Sequence, residues 1–213
     1  MIEVSGPPIG KPGKRQIPGR RLVYIHTPRT GGTSITRALQ AHPDLKVLRT
    51  CLPHMTAADY RRGHRVANTV LVGAMREPHQ WIESQWALVQ HPRHANDPKG
   101  HPFYNRWPKF EDYVIGHAQE YTPWRFQSDF LLKQPARWHR DQKETGWELG
   151  VKMVFKFDEL ESLWSWMEKR LGIELERIHV NAAPRHPIVW PAGLKAEFAK
   201  LYQRDLHLWN NLA

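Results

Sequence analysis

The segment that most constrains this chain is YIHTPRTGGTSI, residues 24 to 35. The run LVYIHT, starting at Leu22, is short, apolar and rich in strand formers, so it reads as a buried strand. Two adjacent glycines, Gly31 and Gly32, follow. The text then resumes as GTSITRALQAH, with a helical spacing that puts Ile35, Ala38 and Leu39 on one face. A strand that passes through a glycine-rich turn into a helix opens an α/β unit.

The same grammar returns further along. NTVLVGAM, residues 68 to 75, is a second buried strand. EPHQWIESQWALVQ reads as its helix, with Pro78 in the first turn, where a missing N–H costs nothing. Trp81, Ser84, Gln85 and Leu88 share one face of it. FEDYVIGHAQ and FQSDFLLKQ read as short helices, and VKMVFKF as a third strand. DELESLWSWMEKRLG then begins at an aspartate N-cap and stops at Gly172, and LKAEFAKLYQRDLHLWNNL is a last amphipathic helix. This order fits one α/β domain over residues 21–213, built on a small central parallel sheet flanked by helices. Residues 1–20 hold four prolines, four glycines and a basic cluster, and read as a flexible basic tail. Residues 91–108 form a polar, proline-rich loop long enough to be functional.

Composition narrows the partners. A net charge of +10 favours an anionic one, whether nucleotide, nucleic acid, acidic glycan or membrane surface. Cys51 is the only cysteine, so an intrachain disulfide and a cysteine-based zinc site are excluded. Thirteen histidines are scattered without a His-Glu-x-x-His pattern, so no metal site is expected. No apolar run approaches the ~20 residues of a membrane span, and no signal-peptide core precedes the first strand, so the expectation is a cytoplasmic protein.

The glycine turn carries chemistry. A helix start offers unpaired backbone N–H groups and a partial positive charge. Gly31 and Gly32 let that backbone approach a ligand closely. Thr30, Thr33 and Ser34 add hydroxyls, and Arg29 adds a forked cation, which together make a cradle for phosphate. A triphosphate loop would read G-x-x-x-x-G-K-[ST]; here no Lys follows Gly32.

His26-Thr27-Pro28-Arg29-Thr30-Gly31-Gly32-Thr33-Ser34 instead resembles the loop of sulfotransferases that use 3′-phosphoadenosine-5′-phosphosulfate, in the Golgi-type and related bacterial carbohydrate-sulfotransferase-like branch, where it usually reads like HIPKTGGTS. REPHQWIES resembles that family's second motif, R-x-P-x-x-R-x-x-S, through Arg76, Pro78 and Ser84, with Trp81 in place of the middle arginine. VFKFDEL, HVNAAPRHP and LYQRDLHLW are weaker echoes, and the resemblance runs from about residue 22 to 212.

The resemblance implies a P-loop-like three-layer fold and in-line transfer of a sulfuryl group to an acceptor hydroxyl, a glycan's being one candidate, leaving 3′-phosphoadenosine-5′-phosphate. It implies that Pro28, Arg29, Thr30, Gly31, Gly32, Thr33 and Ser34 hold the 5′ side of the nucleotide. Arg76 and Ser84 would clamp its 3′-phosphate. Arg29 stands where the family has a lysine on the leaving-group oxygen, and would act electrostatically. His54, 22 residues before Arg76, is either the general base or a cap of the TAADYRR helix; His26, Glu77 and His79 are its rivals as base. Arg93, Lys99 and Arg106 could line an acceptor cleft, and the tryptophans at 107, 124 and 138 either stack on an acceptor or pack the core. The partners implied are an acceptor substrate, no specific nucleic acid and no membrane span. Two other classes compete: another nucleotide-dependent transferase or kinase, and a nonenzymatic polyanion-binding module, which would bind polyanions salt-dependently with no preference for the phosphosulfate nucleotide.

Overall fold

The computed structural model describes residues 1–7, 20–50, 55–64, 69–90, 107–119, 126–132, 149–178 and 188–212. Five strands form one mixed sheet: β1 (Ile2–Ser5), β2 (Arg21–Ile25), β3 (Lys46–Thr50), β4 (Thr69–Met75) and β5 (Met153–Lys156), in the order β3-β1-β2-β4-β5. β2, β4 and β5 run parallel, with Leu22 opposite Val70 and Gly73 opposite Val154. These are the three strands that the apolar runs predict. β1 is antiparallel to both β2 and β3.

β1 corrects the expectation of a tail over residues 1–20. Ile2 and Val4 are fully buried, and the strand pairs on both edges. Ile2 and Val4 alternate with Glu3 and Ser5 as a strand would, but the prolines and glycines that follow dominate the composition of the segment. Residues 8–19 lie outside the described residues.

Alternation along β2 shows how the sheet is covered. Leu22 and Tyr24 join one apolar cluster with Ile35 and Leu39 of α1 (Gly32–Ala41) and Leu163 and Met167 of α6 (Leu160–Leu171). Val23 and Ile25 point the other way, into a cluster with Tyr60 of α2 (Ala57–Gly63), Phe130 of α5 (Ser128–Leu131) and Leu208 of α8 (Gln203–Asn210). A strand whose successive side chains are all buried must be covered on both faces. A third cluster joins α3 (Pro78–Val89), α4 (Phe110–Gln119) and α7 (Leu194–Leu201) around Trp81, Tyr113 and Phe198.

Two element boundaries differ from the sequence reading. The helix expected to start at Asp158 begins at Leu160, after a 3₁₀ turn over Phe157–Glu159, and no side chain caps it. Its end at Gly172 is as expected, with that residue left-handed at φ 75°. The last helix breaks at Tyr202, whose buried ring stacks on Phe198 and whose hydroxyl donates to the Val114 carbonyl. No helix of the described residues is long and apolar enough to cross a membrane.

Candidate functional site

β2 and β4 are parallel neighbours, so the turns after their carboxyl ends lie side by side. The turn after β2 carries Pro28 to Gly31; the turn after β4 carries Arg76 and Glu77. Between them and α6 lies a cavity of about 420 Å³. Its lining includes Pro28, Arg29, Gly31, Gly32, Thr33, Ser34, Arg76 and Ser84, eight of the residues that the two motifs single out. The two arginines thus face one space.

The first turn is held from within and from α3. Thr30 is fully buried, and its hydroxyl donates to the Thr27 carbonyl at 2.8 Å. It is absent from the cavity lining, so its hydroxyl shapes the loop instead of adding to the cradle, as the motif reading expected. Arg29 sits at φ 62°, the left-handed region, and Gly31 at φ 75°. The Arg29 Nε–H donates to Ser84 Oγ at 2.9 Å, which links the two motifs directly. The Trp81 indole N–H donates to the Pro28 carbonyl at 2.9 Å. Trp81, fully buried where the family motif has an arginine, therefore pins the loop and supplies no cation to the site.

Gly32 has a steric reason as well. A Cβ there would lie 2.0 Å from His26 Cδ2, so the imidazole occupies the space that any side chain would need. His26 itself lines the cavity. The Ser34 backbone N–H bonds back to the Gly31 carbonyl at 3.0 Å, so the first helical turn spends that donor internally.

Arg76 is 7 % exposed, and its guanidinium lies over the Phe157 ring at 4.6 Å. Phe157 also stands 3.5 Å from where a Cβ of Gly31 would be, so this ring underlies both turns. The opposite wall comes from α6 and the segment after it: Leu160, Glu161, Trp164 and Ile178, with Leu88 of α3 adjoining. Arg177 pairs with Glu161 and Glu168, both at 2.6 Å, and lies over the Trp164 ring at 5.2 Å.

The base candidates separate. Glu77 caps α3 by accepting the Gln80 N–H at 2.8 Å and pairs with His79 at 2.7 Å. Burial would raise its carboxyl, but the hydrogen bonds from the His79 ring and the Gln80 and His79 backbone outweigh this and hold it below the ordinary 4.5. Neither Glu77 nor His79 lines the cavity; His79 packs on Trp190 and Phe198. His54 lies outside the described residues; the cap of α2 is Thr56, which accepts from Asp59 N–H at 3.1 Å. Also outside are Arg93, Lys99, Arg106, Trp124, Trp138 and the whole HVNAAPRHP segment. Trp107 is packed against Gly116 and edge-on to Tyr113, away from the cavity.

Phe157 and Leu160 fall in VFKFDEL, a weaker echo to which no site role was given, and Glu161 and Trp164 fall in no motif. The helix residues carried little signal, since an apolar stripe on a helix looks the same whether it faces a core or a cavity. Among the described residues no cluster of His, Cys, Asp or Glu could hold a metal ion. The chain matches no family model, no curated protein and no solved structure.

Proposed function

We propose that the cavity is a nucleotide site and that the chain is a sulfotransferase using 3′-phosphoadenosine-5′-phosphosulfate, on a P-loop-like α/β fold. The observation that carries this is the convergence of Arg29, Arg76 and Ser84, from two separate strand–turn–helix units, on one cavity. The donor set suits a nucleotide with two anionic ends. Two guanidinium groups can each take a phosphate by paired hydrogen bonds, and the apolar wall of Leu88, Leu160 and Trp164 suits a base and ribose. At about 420 Å³ the space lies within the range of small-molecule sites, roughly 300–1,000 Å³.

The donor supplies an activated sulfuryl group. Transfer forms a bond from the acceptor oxygen to sulfur and breaks the bond from sulfur to the 5′-phosphate oxygen. Negative charge then grows on that phosphate. Arg29, held by Ser84, is the group set to stabilise it, and it does so without giving up a proton. The acceptor proton passes to a base. His54 remains a proposal for that role, and His26 is the imidazole that lines the cavity among the described residues.

Calorimetric titration with 3′-phosphoadenosine-5′-phosphate, against adenosine 5′-monophosphate, tests the binding half. Incubation with labelled phosphosulfate donor and a panel of glycans, phenols, lipids and small alcohols tests the transfer half. Equal, salt-sensitive binding of any polyanion with no label transferred would favour the nonenzymatic alternative.

A further inference from the structure

The ladder of β4 ends at Met75, paired with Lys156 of β5, and β2 has ended two residues earlier, at Ile25 opposite Gly73. The peptide of Arg76 therefore projects past its strand neighbours. It is Gln127, just before α5, that takes over there. Its Oε1 accepts the Arg76 N–H at 2.8 Å, and its Nε2–H donates to the Arg76 carbonyl at 2.8 Å. This is the double exchange that a strand partner would make. The amide orientation is forced, because a backbone N–H needs an acceptor and a backbone carbonyl a donor.

Gln127 is fully buried and is itself anchored. Its backbone N–H donates to Asp205 Oδ2 at 2.9 Å, and the Ser128 N–H to Oδ1 at 2.9 Å. Asp205 lies on α8 and is also fully buried. A chain of hydrogen bonds thus runs from α8 through Gln127 to the peptide that carries the cavity arginine. Gln127 itself is absent from the cavity lining and reaches it only through Arg76.

We infer that Gln127 is a positioning residue: by clamping the peptide of Arg76 it aims that guanidinium at the second phosphate of the bound nucleotide, and so sets the preference for a 3′-phosphorylated ligand. The inference rests on the nucleotide reading given above. Its physical content is that a side chain projecting from a strand end beyond the ladder is only as well aimed as its backbone, and that small misplacements of a charged contact cost much of its effect.

The readout is a ratio: affinity for 3′-phosphoadenosine-5′-phosphate over affinity for adenosine 5′-monophosphate. Gln127→Met keeps the size and removes both bonds. It should lower the ratio by about tenfold or more while leaving the monophosphate affinity within about twofold. Arg76→Ala should lower the ratio at least as far, and Gln127→Met should then add nothing, because both act through one contact. A merely structural role would lower both affinities together. Where the variant fails to fold, amide exchange in the unaltered chain decides. The Arg76 N–H should exchange more slowly when the chain is saturated with the bisphosphorylated nucleotide than with the monophosphate. An unchanged ratio in folded Gln127→Met, additive losses in the double variant, or equal Arg76 exchange with the two nucleotides would overturn the inference alone. No preference for the 3′-phosphate in the unaltered chain would overturn the nucleotide reading and the inference with it.

Discussion

The two halves of the sheet are built from similar strands and do different work. In the parallel half, β2 and β4 end side by side and release Arg29 and Arg76 into one cavity. In the antiparallel half, β1 lies between β2 and β3, and its one charged side chain is turned inward. Glu3 is 1 % exposed, pairs with Arg21, and accepts the Tyr60 hydroxyl at 2.9 Å. Cations in the first half line a cavity; the anion in the second is enclosed by its partners. A parallel arrangement puts all its strand ends at one rim, where each following turn can add a ligand-facing group, whereas antiparallel strands send alternate ends to opposite rims. The first half should therefore answer to tests of ligand binding, the second to tests of stability.

The largest effect that would sharpen this contrast is on turnover. Arg29→Ala should cut the proposed sulfuryl transfer by roughly 10²–10³-fold, the cost of one preorganised donor at developing charge, and weaken nucleotide binding far less. Equal turnover by the variant, measured with labelled donor, removes Arg29 from the chemistry. Next is Tyr60→Phe, which takes a hydroxyl from a buried carboxylate. It should cost about 1.5–3 kcal/mol in denaturant unfolding and leave nucleotide affinity unchanged. A matched loss of affinity would break the division between the halves.

Trp81→Phe should move both readouts. It removes the indole N–H bond to Pro28 at about 1 kcal/mol of stability, and loosens the loop, which calorimetry would record as weaker nucleotide binding. The smallest effect is acid-dependent. The Glu77 carboxyl is depressed in the folded chain, so its contribution is present above the ordinary value of 4.5 and is lost as pH falls through the lower folded value. The melting temperature of Glu77→Gln should lie below that of the unaltered chain at neutral pH, and the gap should close in the acid range. A gap that persists there would assign the effect to something other than ionisation.

Much of the parallel half was legible in the sequence, for a physical reason. LVYIHT and NTVLVGAM each hold a short apolar run of the kind a strand buried on both faces shows, and each is followed closely by glycines or proline and a helical stripe. Arg29 and Arg76 stand just past those runs, so parallel pairing alone brings them together. The antiparallel half was less legible. The four residues of β1 are too few to show alternation, and their partners in β3 lie more than forty positions away. Thr30 was counted as a donor because composition cannot tell a hydroxyl facing a ligand from one turned back onto Thr27. Gln127 carried no signal at all, since its meaning depends on Arg76, 51 residues earlier.

The backbone of Arg29 has one further consequence. An arginine at φ 62° occupies a conformation in which glycine would be at ease and a side chain costs on the order of 1–2 kcal/mol. Variation at this position would therefore pull in two directions. A laboratory screen for heat tolerance alone would enrich glycine or asparagine at position 29, and each step toward a tougher protein would silence the very group on which its chemistry is proposed to turn.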